Sequence, residues 1–376
     1  MALVRYITVT PVTNFFKPAT RAFGNLAIIG DATGNGPAGV PVEITNPGEV
    51  QSPSHVDGSG DPIVGPVDSQ EWFEGSLGAA VRVAFQQSPG PSKVVALRAD
   101  PTDGTQLTDA FTAISTLDVQ IVVLANTPLT DTDGTTEIEA LAGHVNTVSN
   151  SGGDGKERIG VAMLGAGTTD TALVTGAMSI DRMTLVAHHS DEDAAAAYAG
   201  CIAGYPPHIS LLLKPVVLSM DQQFTDSQIS AFDDARVNWI TDPLLIPGKS
   251  LMMGESYTLG ADKPYVDIVR VIDDISFRLK AMLIRSIGNL RISRPGLRVM
   301  ESRISGVLQP LVQNEVIVRF DVFTPLLTIL DKAPEERSAV EAQQLTDARN
   351  ARAVNSLISV VYAGAIHRLN LTLNFV

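Results

Sequence analysis

Short apolar runs alternate with segments of helical spacing between residues 25 and 203, and this alternation constrains the fold more than any single motif does. Residues 25–30, 93–98, 119–125, 159–164 and 184–187 are almost wholly apolar, as strands buried on both faces must be. Between and after them, residues 71–86, 107–117, 137–148 and 191–203 repeat apolar positions at helical intervals, the mark of helices packed on one face. Strand and helix in this order predict an α/β core with a parallel sheet covered on both sides. Residues 40–45 are expected to be extended, and the Gly/Pro density of residues 46–70 permits only turns and loops. Thr225-Asp-Ser-Gln228 is a capping box opening a helix to about Arg236, and residues 237–240 come next as a strand.

The linker at residues 242–254, with Pro243, Pro247, Gly248 and Gly254, reads as a domain boundary. Beyond it the pattern changes to α+β. Residues 265–269 are expected to be extended, and residues 271–287 to form an amphipathic helix burying Ile272, Ile275, Leu279, Met282, Leu283 and Ile287. A second helix is expected over residues 297–311. Residues 315–324 alternate as a strand with Val316, Val318, Phe320 and Val322 on one face. A helix over residues 335–349 then precedes a strand at 357–362.

Both ends are patterned. Residues 366–376 alternate Leu369, Leu371, Leu373 and Phe375 with Arg368, Asn370, Thr372 and Asn374, a half-buried strand that must dock on a sheet of its own or another molecule. Residues 3–10 are rich in β-formers, with Val4, Tyr6, Ile7 and Val9, and Pro11 and Pro18 detach them from the apolar run at residues 25–30.

The chain has 376 residues, 44% of them hydrophobic, and a formal charge of −14. That charge argues against general affinity for nucleic acid or anionic membrane. No apolar run approaches a membrane span and no leader pattern opens the sequence, so a cytosolic site of synthesis and no membrane insertion are expected. The lone Cys201 sits in an Ala-rich run and reads as a packed thiol. Against the acidic background, residues 263–303 carry a net +5, including Arg270, Arg278, Lys280, Arg285 and Arg291. Arg278 and Arg285, seven apart, share a helical face opposite the apolar stripe. A basic surface on an acidic protein suggests an acidic partner recognised by charge; a solvated face with local ion pairs is the plainer account.

Motifs for catalysis fail on context. Gly34, Gly36 and Gly39 fit G-x-G-x-x-G after a strand, but extended sequence stands where a helix N-terminus is needed. Gly248-Lys249-Ser250 has Pro243 where a P-loop needs its first glycine. His188 and His189 are adjacent on a strand and point to opposite faces. No nucleophile elbow, H-E-x-x-H or paired C-x-x-C is present. Nothing calls for an enzyme, a cofactor or a metal.

The order of segments resembles the tail sheath proteins of contractile phage tails, pyocin-like particles and related injection systems. The likeness rests on Leu26-Ala-Ile-Ile-Gly30 with the Gly-Pro loop and Val42-Glu-Ile-Thr45, on the helix ending at Phe85 followed by Lys93-Val-Val-Ala-Leu-Arg98, and on Asp193-Ala-Ala-Ala-Ala-Tyr-Ala-Gly200. Its most specific parts are Phe224-Thr-Asp-Ser-Gln228 leading to Arg236-Val-Asn-Trp-Ile240, and Tyr265-Val-Asp-Ile-Val-Arg-Val-Ile-Asp-Asp-Ile275.

The resemblance implies an N-terminal arm at 1–20, a subtilisin-like α/β domain without a catalytic triad at 21–254, an α+β C-terminal sheath domain at 255–363 and a C-terminal arm strand at 364–376. It implies stacked hexameric rings of this chain around a tail tube, joined by β-augmentation through Val4, Tyr6, Ile7, Val9, Val318, Phe320, Leu369, Leu371, Leu373 and Phe375. It places the tube-facing surface at Arg278, Lys280, Arg285 and Arg291. Baseplate and tail terminator proteins would be the other partners, the particle or virion tail the location, and the host cytoplasm the place of assembly. The other readings are an α/β hydrolase or nucleotide-binding enzyme, and a noncontractile structural component of the same particle.

Overall fold

The computed structural model describes residues 23–34, 36–45, 73–151, 155–243, 245–246 and 251–368. Among these, residues 23–274 with 365–368 form one compact unit and residues 275–364 another. The expected arm strands, with Val4, Tyr6, Ile7, Val9, Leu369, Leu371, Leu373 and Phe375, lie outside the described residues.

The first unit is built on one large sheet. Its strands are β1 (Asn25–Gly30), β2 (Val42–Ile44), β3 (Lys93–Arg98), β4 (Ile121–Leu129), β5 (Ile159–Leu164), β6 (Met183–Ala187), β7 (Asn238–Thr241) and β8 (Met252–Met253), in the order β2-β3-β1-β4-β5-β6-β7-β8. From β3 to β7 all neighbours run parallel; β2 and β8 join antiparallel at the two edges. The central strands are almost wholly buried because helices cover both faces, with Glu43 in β2 and Asn126 in β4 left exposed. The period of two sorts their side chains: Leu26 and Ile28 enter one core cluster, Ala27 and Ile29 the other.

On the first face lie α1 (Ser76–Gln86) and α4 (Ala194–Gly204), and α2 (Gly104–Ser115), α3 (Thr135–Asn150) and α5 (Asp226–Ala235) contribute to the second cluster. Helix α4 is apolar all round, and every residue from Ala194 to Ala203 is buried. Its N-cap Asp193 accepts from Ala196 N at 2.8 Å and from Asn126 N at 2.7 Å, tying the helix start to β4. Burial pushes the Asp193 carboxyl pKa up, against the lowering effect of these backbone donors. Helix α5 begins with the expected capping box, Thr225 N donating to Gln228 Oε1 at 2.8 Å.

Arg158 is wholly buried, and its guanidinium is a second donor to carbonyls at the end of α2 and in the turn after it: Nη1 donates to Ile114 O at 3.1 Å and Nη2 to Leu117 O at 3.2 Å, beside the backbone donors Leu117 N and Val119 N. The buried arginine thus ties the end of α2 to the start of β5.

Helix α6 (Val266–Leu283) spans the division between the units, its residues to Asp274 belonging with the first and those from Ile275 with the second. It corrects two expectations. Residues 266–269 are helical, only Tyr265 being extended, in a bridge with Tyr257. The buried positions are Val266, Asp267, Val269, Arg270 and Val271, whereas Ile272 is 41% and Ile287 77% exposed.

The second unit has α7 (Arg294–Gln313), β9 (Ile317–Phe323), α8 (Pro325–Asp331), α9 (Ala339–Ala351) and β10 (Leu357–Tyr362). Strands β9 and β10 pair antiparallel in a sheet of two. The observed architecture is a mixed α/β fold: a large, mostly parallel sheet, a small antiparallel sheet, and helices.

Candidate assembly interface

In the second unit, α7 is set by Ser293, whose Oγ accepts from Gly296 N, and by Pro295 in its first turn. It buries Leu297, Ile304, Val307, Leu308 and Leu311 at helical spacing and packs against β9 and α8. Asp331 at the end of α8 holds two arginines of α7, with Arg294 Nε at 2.5 Å and Arg298 Nη2 at 3.1 Å.

The two-stranded sheet has unequal faces. Phe320 pairs with Val360 and Val322 with Ile358, all half-buried; Phe323 pairs with Leu357, and these are 47% and 63% exposed. Val316 and Ile317 are both buried although adjacent, so the alternation slips at the start of β9. The ladder is irregular there, Tyr362 facing Ile317 while Val361 faces Arg319, and Val318 is left 57% exposed. Of the four residues expected on one face, Val316 is buried, Phe320 and Val322 are half-buried, and Val318 is exposed, so their surroundings are not uniform. Neither outer edge of the β9–β10 pair is hydrogen-bonded to a further strand among the described residues. An antiparallel pair with free edges is marginal alone and is a template for added strands.

The basic residues have more varied surroundings than their count suggests. Arg270 is buried, with Nη2 donating to Tyr205 O at 2.9 Å and Phe23 O at 3.2 Å. Burial lowers its pKa to about 10, with Asp267 and Asp274 acting the other way. Lys263 pairs with Asp181 at 2.7 Å, and Arg303 donates to Ser286 Oγ. Arg278 is half-buried on α6, Lys280 is exposed near its end, and Arg285 falls in a separate 3-10 turn, Ile284–Ser286. The seven-residue spacing therefore does not put Arg278 and Arg285 on one helical face. Arg285 and Arg291 are exposed, and Arg291 Nη1 donates to Gly288 O at 2.9 Å.

The rejected motifs are occupied by the fold. Arg98 Nη1 donates to Gly34 O and Gly36 O at 3.2 and 3.0 Å, so carbonyls of the glycine loop turn toward a cation, the wrong polarity for phosphate. His188 lies 3.0 Å by Nε2 from Leu164 O and accepts from Ser190 N at Nδ1, while the His189 ring lies 4.3 Å from that of Phe224. Cys201 is buried beside Gln87, and burial pushes its thiol up to about 12. Gly248, Lys249 and Ser250 lie outside the described residues. Among the described residues no group of three metal-ligating side chains converges, and no helix is long and apolar enough to cross a membrane.

No protein-family model and no curated protein matches the sequence. Solved structures do match, several of them over 98% or more of this chain. The sheath of the extracellular contractile injection system PVC, in its contracted state, superposes with a TM-score of 0.67 at 12% identity, over 100% of this chain and 98% of that one. This chain has the contractile sheath fold. The contracted helical sheath of the anti-feeding prophage gives 0.62 at 15% identity over 98% and 99% of the two chains. The sheath tail protein of Desulfitobacterium hafniense gives 0.55 at 12% over 85% and 92%. Because the sheath likeness extends over nearly the whole chain, it covers both the large sheet and the β9–β10 unit.

Proposed function

We propose that this chain is a structural subunit of a contractile sheath, polymerising as stacked hexameric rings around a tail tube and contracting to drive that tube through a target envelope. The observation that carries the reading is the β9–β10 pair, whose two outer edges meet no further strand among the described residues, in a chain whose terminal segments at 3–10 and 366–376 are patterned as strands. A donated strand on each edge would widen a sheet that has two strands among the described residues, backbone hydrogen bonds supplying the tether. Val318 and Phe320 on β9 are the receiving positions in this reading. Contraction consumes no nucleotide: subunits move as rigid bodies toward greater burial of complementary surface.

The finer features belong to the same reading. The strand order from β2 to β7 and the wholly buried α4 support a subtilisin-like core, with Asp193 at the helix start committed to capping. Arg278, Lys280, Arg285 and Arg291 form the tube-facing surface; the exposure of the last three supports this. Baseplate and terminator proteins would bound the polymer, within a particle assembled in the host cytoplasm.

Negative-stain microscopy of the purified chain tests the reading. Sheath-length tubes or rings are expected from the full chain, and a folded, unassembled protein from one lacking residues 369–376. Tubes of full length from the truncated chain would refute strand donation by the C-terminal segment.

A further inference from the structure

After β10 the backbone passes through Gly364, with a left-handed φ of 69°, and the residues beyond it return to the α/β unit. They alternate: Ile366 is 82% exposed, the His367 side chain 9% and the Arg368 side chain 64%. The His367 ring lies 4.4 Å from that of Tyr265, and its Nδ1 is 2.8 Å from Glu255 Oε2. Arg368 Nη2 donates to both oxygens of Asp233, at 2.8 and 2.6 Å, and to the Tyr257 hydroxyl at 3.3 Å. That hydroxyl in turn donates to Asp233 Oδ1 at 2.6 Å, and Tyr257 stacks on Tyr265.

The receiving side chains are held independently of the tail. Tyr257 N donates to Asn238 Oδ1 at 2.5 Å, and the buried Asn238 donates through Nδ2 to Thr184 Oγ1, Leu185 O and Tyr257 O. Trp239 and Gly254 line the same cleft, of about 410 Å³. A Cβ on Gly254 would meet the Trp239 indole at 2.1 Å, so this wall also needs its glycine. Glu255 is 5% exposed, its Oε2 accepts from Ser256 N at 3.3 Å, and the His367 ring is its second polar partner at a depth where an unpaired acid is costly.

We infer that residues 365–368 are a clamp fixing, on the α/β unit, the point from which the C-terminal segment leaves. His367 is its buried anchor and Arg368 its outer tie. Any rearrangement of the C-terminal segment on assembly would then begin beyond Arg368 and not by peeling of residues 365–368. The clamp is a property of the single chain; only its consequence for strand donation rests on the sheath reading.

A nitroxide on Ile366→Cys in the full chain reports the clamp, since the other thiol, Cys201, is buried. An immobilised spectrum is expected in the parent background, with loss of the immobile component in His367→Ala and in Arg368→Asp, and recovery when Asp233→Arg is added to Arg368→Asp. Equal mobility in the parent and both single variants overturns the clamp. Thermal melts matching the parent exclude misfolding, and Glu255→Ala, which removes the partner of His367 Nδ1, provides a second disruption with no added volume. For the consequence, Glu255→Cys with His367→Cys is joined by a short thiol cross-linker. Assembly lost in the unlinked pair and regained on linking is expected; a linked protein that fails while the parent assembles overturns the fixed root. If the parent itself makes no polymer, the sheath reading fails and the label spectra still decide the clamp.

Discussion

Arg182 grips Asp273 with both arms of its guanidinium, Nη1 to Oδ2 and Nη2 to Oδ1, each at 2.8 Å. The pair ties the start of β6 to α6, with side chains only 17% and 14% exposed. Burial works against the arginine's charge, but hydrogen bonding to Asp273 and the charges of Asp273, Glu157 and Asp181 outweigh it and raise its pKa. Breaking such a pair leaves a desolvated charge, so Asp273→Ala should lose about 3 kcal/mol. Arg182→Lys keeps the charge but not the fork and should lose roughly half as much. Urea denaturation checks both, and an Asp273→Ala midpoint equal to the parent's would contradict the account.

Acid sensitivity should come in part from His144. Its ring stacks on Phe111 at 4.5 Å and lies beside Arg158, with Nε2 at 3.3 Å from Nη1. Burial, and then the charge of Arg158, lower its pKa to about 3. The unfolded chain takes up this proton near pH 6.5 and the folded one does not, so stability falls as pH drops from there toward 3. His188, lowered chiefly by burial, acts with the same sign. The share of His144 at pH 5 is about 2 kcal/mol. In His144→Gln the difference in unfolding free energy between pH 7 and pH 5, read from urea denaturation, should shrink by that amount; an unchanged difference would count against it.

Two helical glycines should respond oppositely to alanine. At Gly200 in α4 a Cβ would lie 2.5 Å from Ala84 O and 3.0 Å from Ala84 Cα, backbone atoms of α1 that cannot step aside. Overpacking there should exceed the gain in helix propensity and leave Gly200→Ala about 1–2 kcal/mol less stable. Gly143 in α3 is exposed and has nothing within 4 Å of the new atom. Gly143→Ala should gain about 0.5–1 kcal/mol. Parallel thermal melts decide both signs.

For the proposed tube-facing surface, Arg285→Glu with Arg291→Glu should leave the melting temperature near the parent's, since both side chains are exposed. Co-sedimentation with the cognate tube protein should weaken, most clearly at low salt, where charge attraction is least screened. Unchanged co-sedimentation would place the tube contact elsewhere.

How much of the fold is legible in the sequence depends on how local the determinant is. Strands β3 and β5 fall at the positions their composition indicates, because continuous apolar runs ended by Gly or Pro have few alternatives. The start of α5 is readable from Thr225 and Gln228 alone. Residues 266–269 mislead because Val266, Ile268 and Val269 favour strands, yet burial of Val266, Val269 and Arg270 on one side rewards the helix. Helix α8 is too short to show a period, and only Pro325 at its first turn marks it. The charge count cannot show that Arg270 is spent on carbonyls or that Arg294 and Arg298 share Asp331, and nothing near Arg368 announces Asp233, 135 residues away.

The free edges of the β9–β10 pair yield the most direct test of polymerisation without altering either terminal segment. Val318 is 57% exposed beside the irregular step in the ladder, so lysine there should change stability by no more than about 0.5 kcal/mol. In an isolated chain its ammonium remains in water. In a sheet widened by a neighbour's strand, the same position becomes flanked on both sides and the charge must be desolvated or the incoming strand displaced, the device by which natural edge strands refuse partners. Val318→Lys should therefore give a protein with the parent's melting temperature and circular dichroism that forms no tubes under conditions where the parent does. Phe320→Lys, on the half-buried face toward Val360, should instead lower the melting temperature itself. Tubes of normal length and diameter from Val318→Lys would mean that β9 is not an acceptor edge.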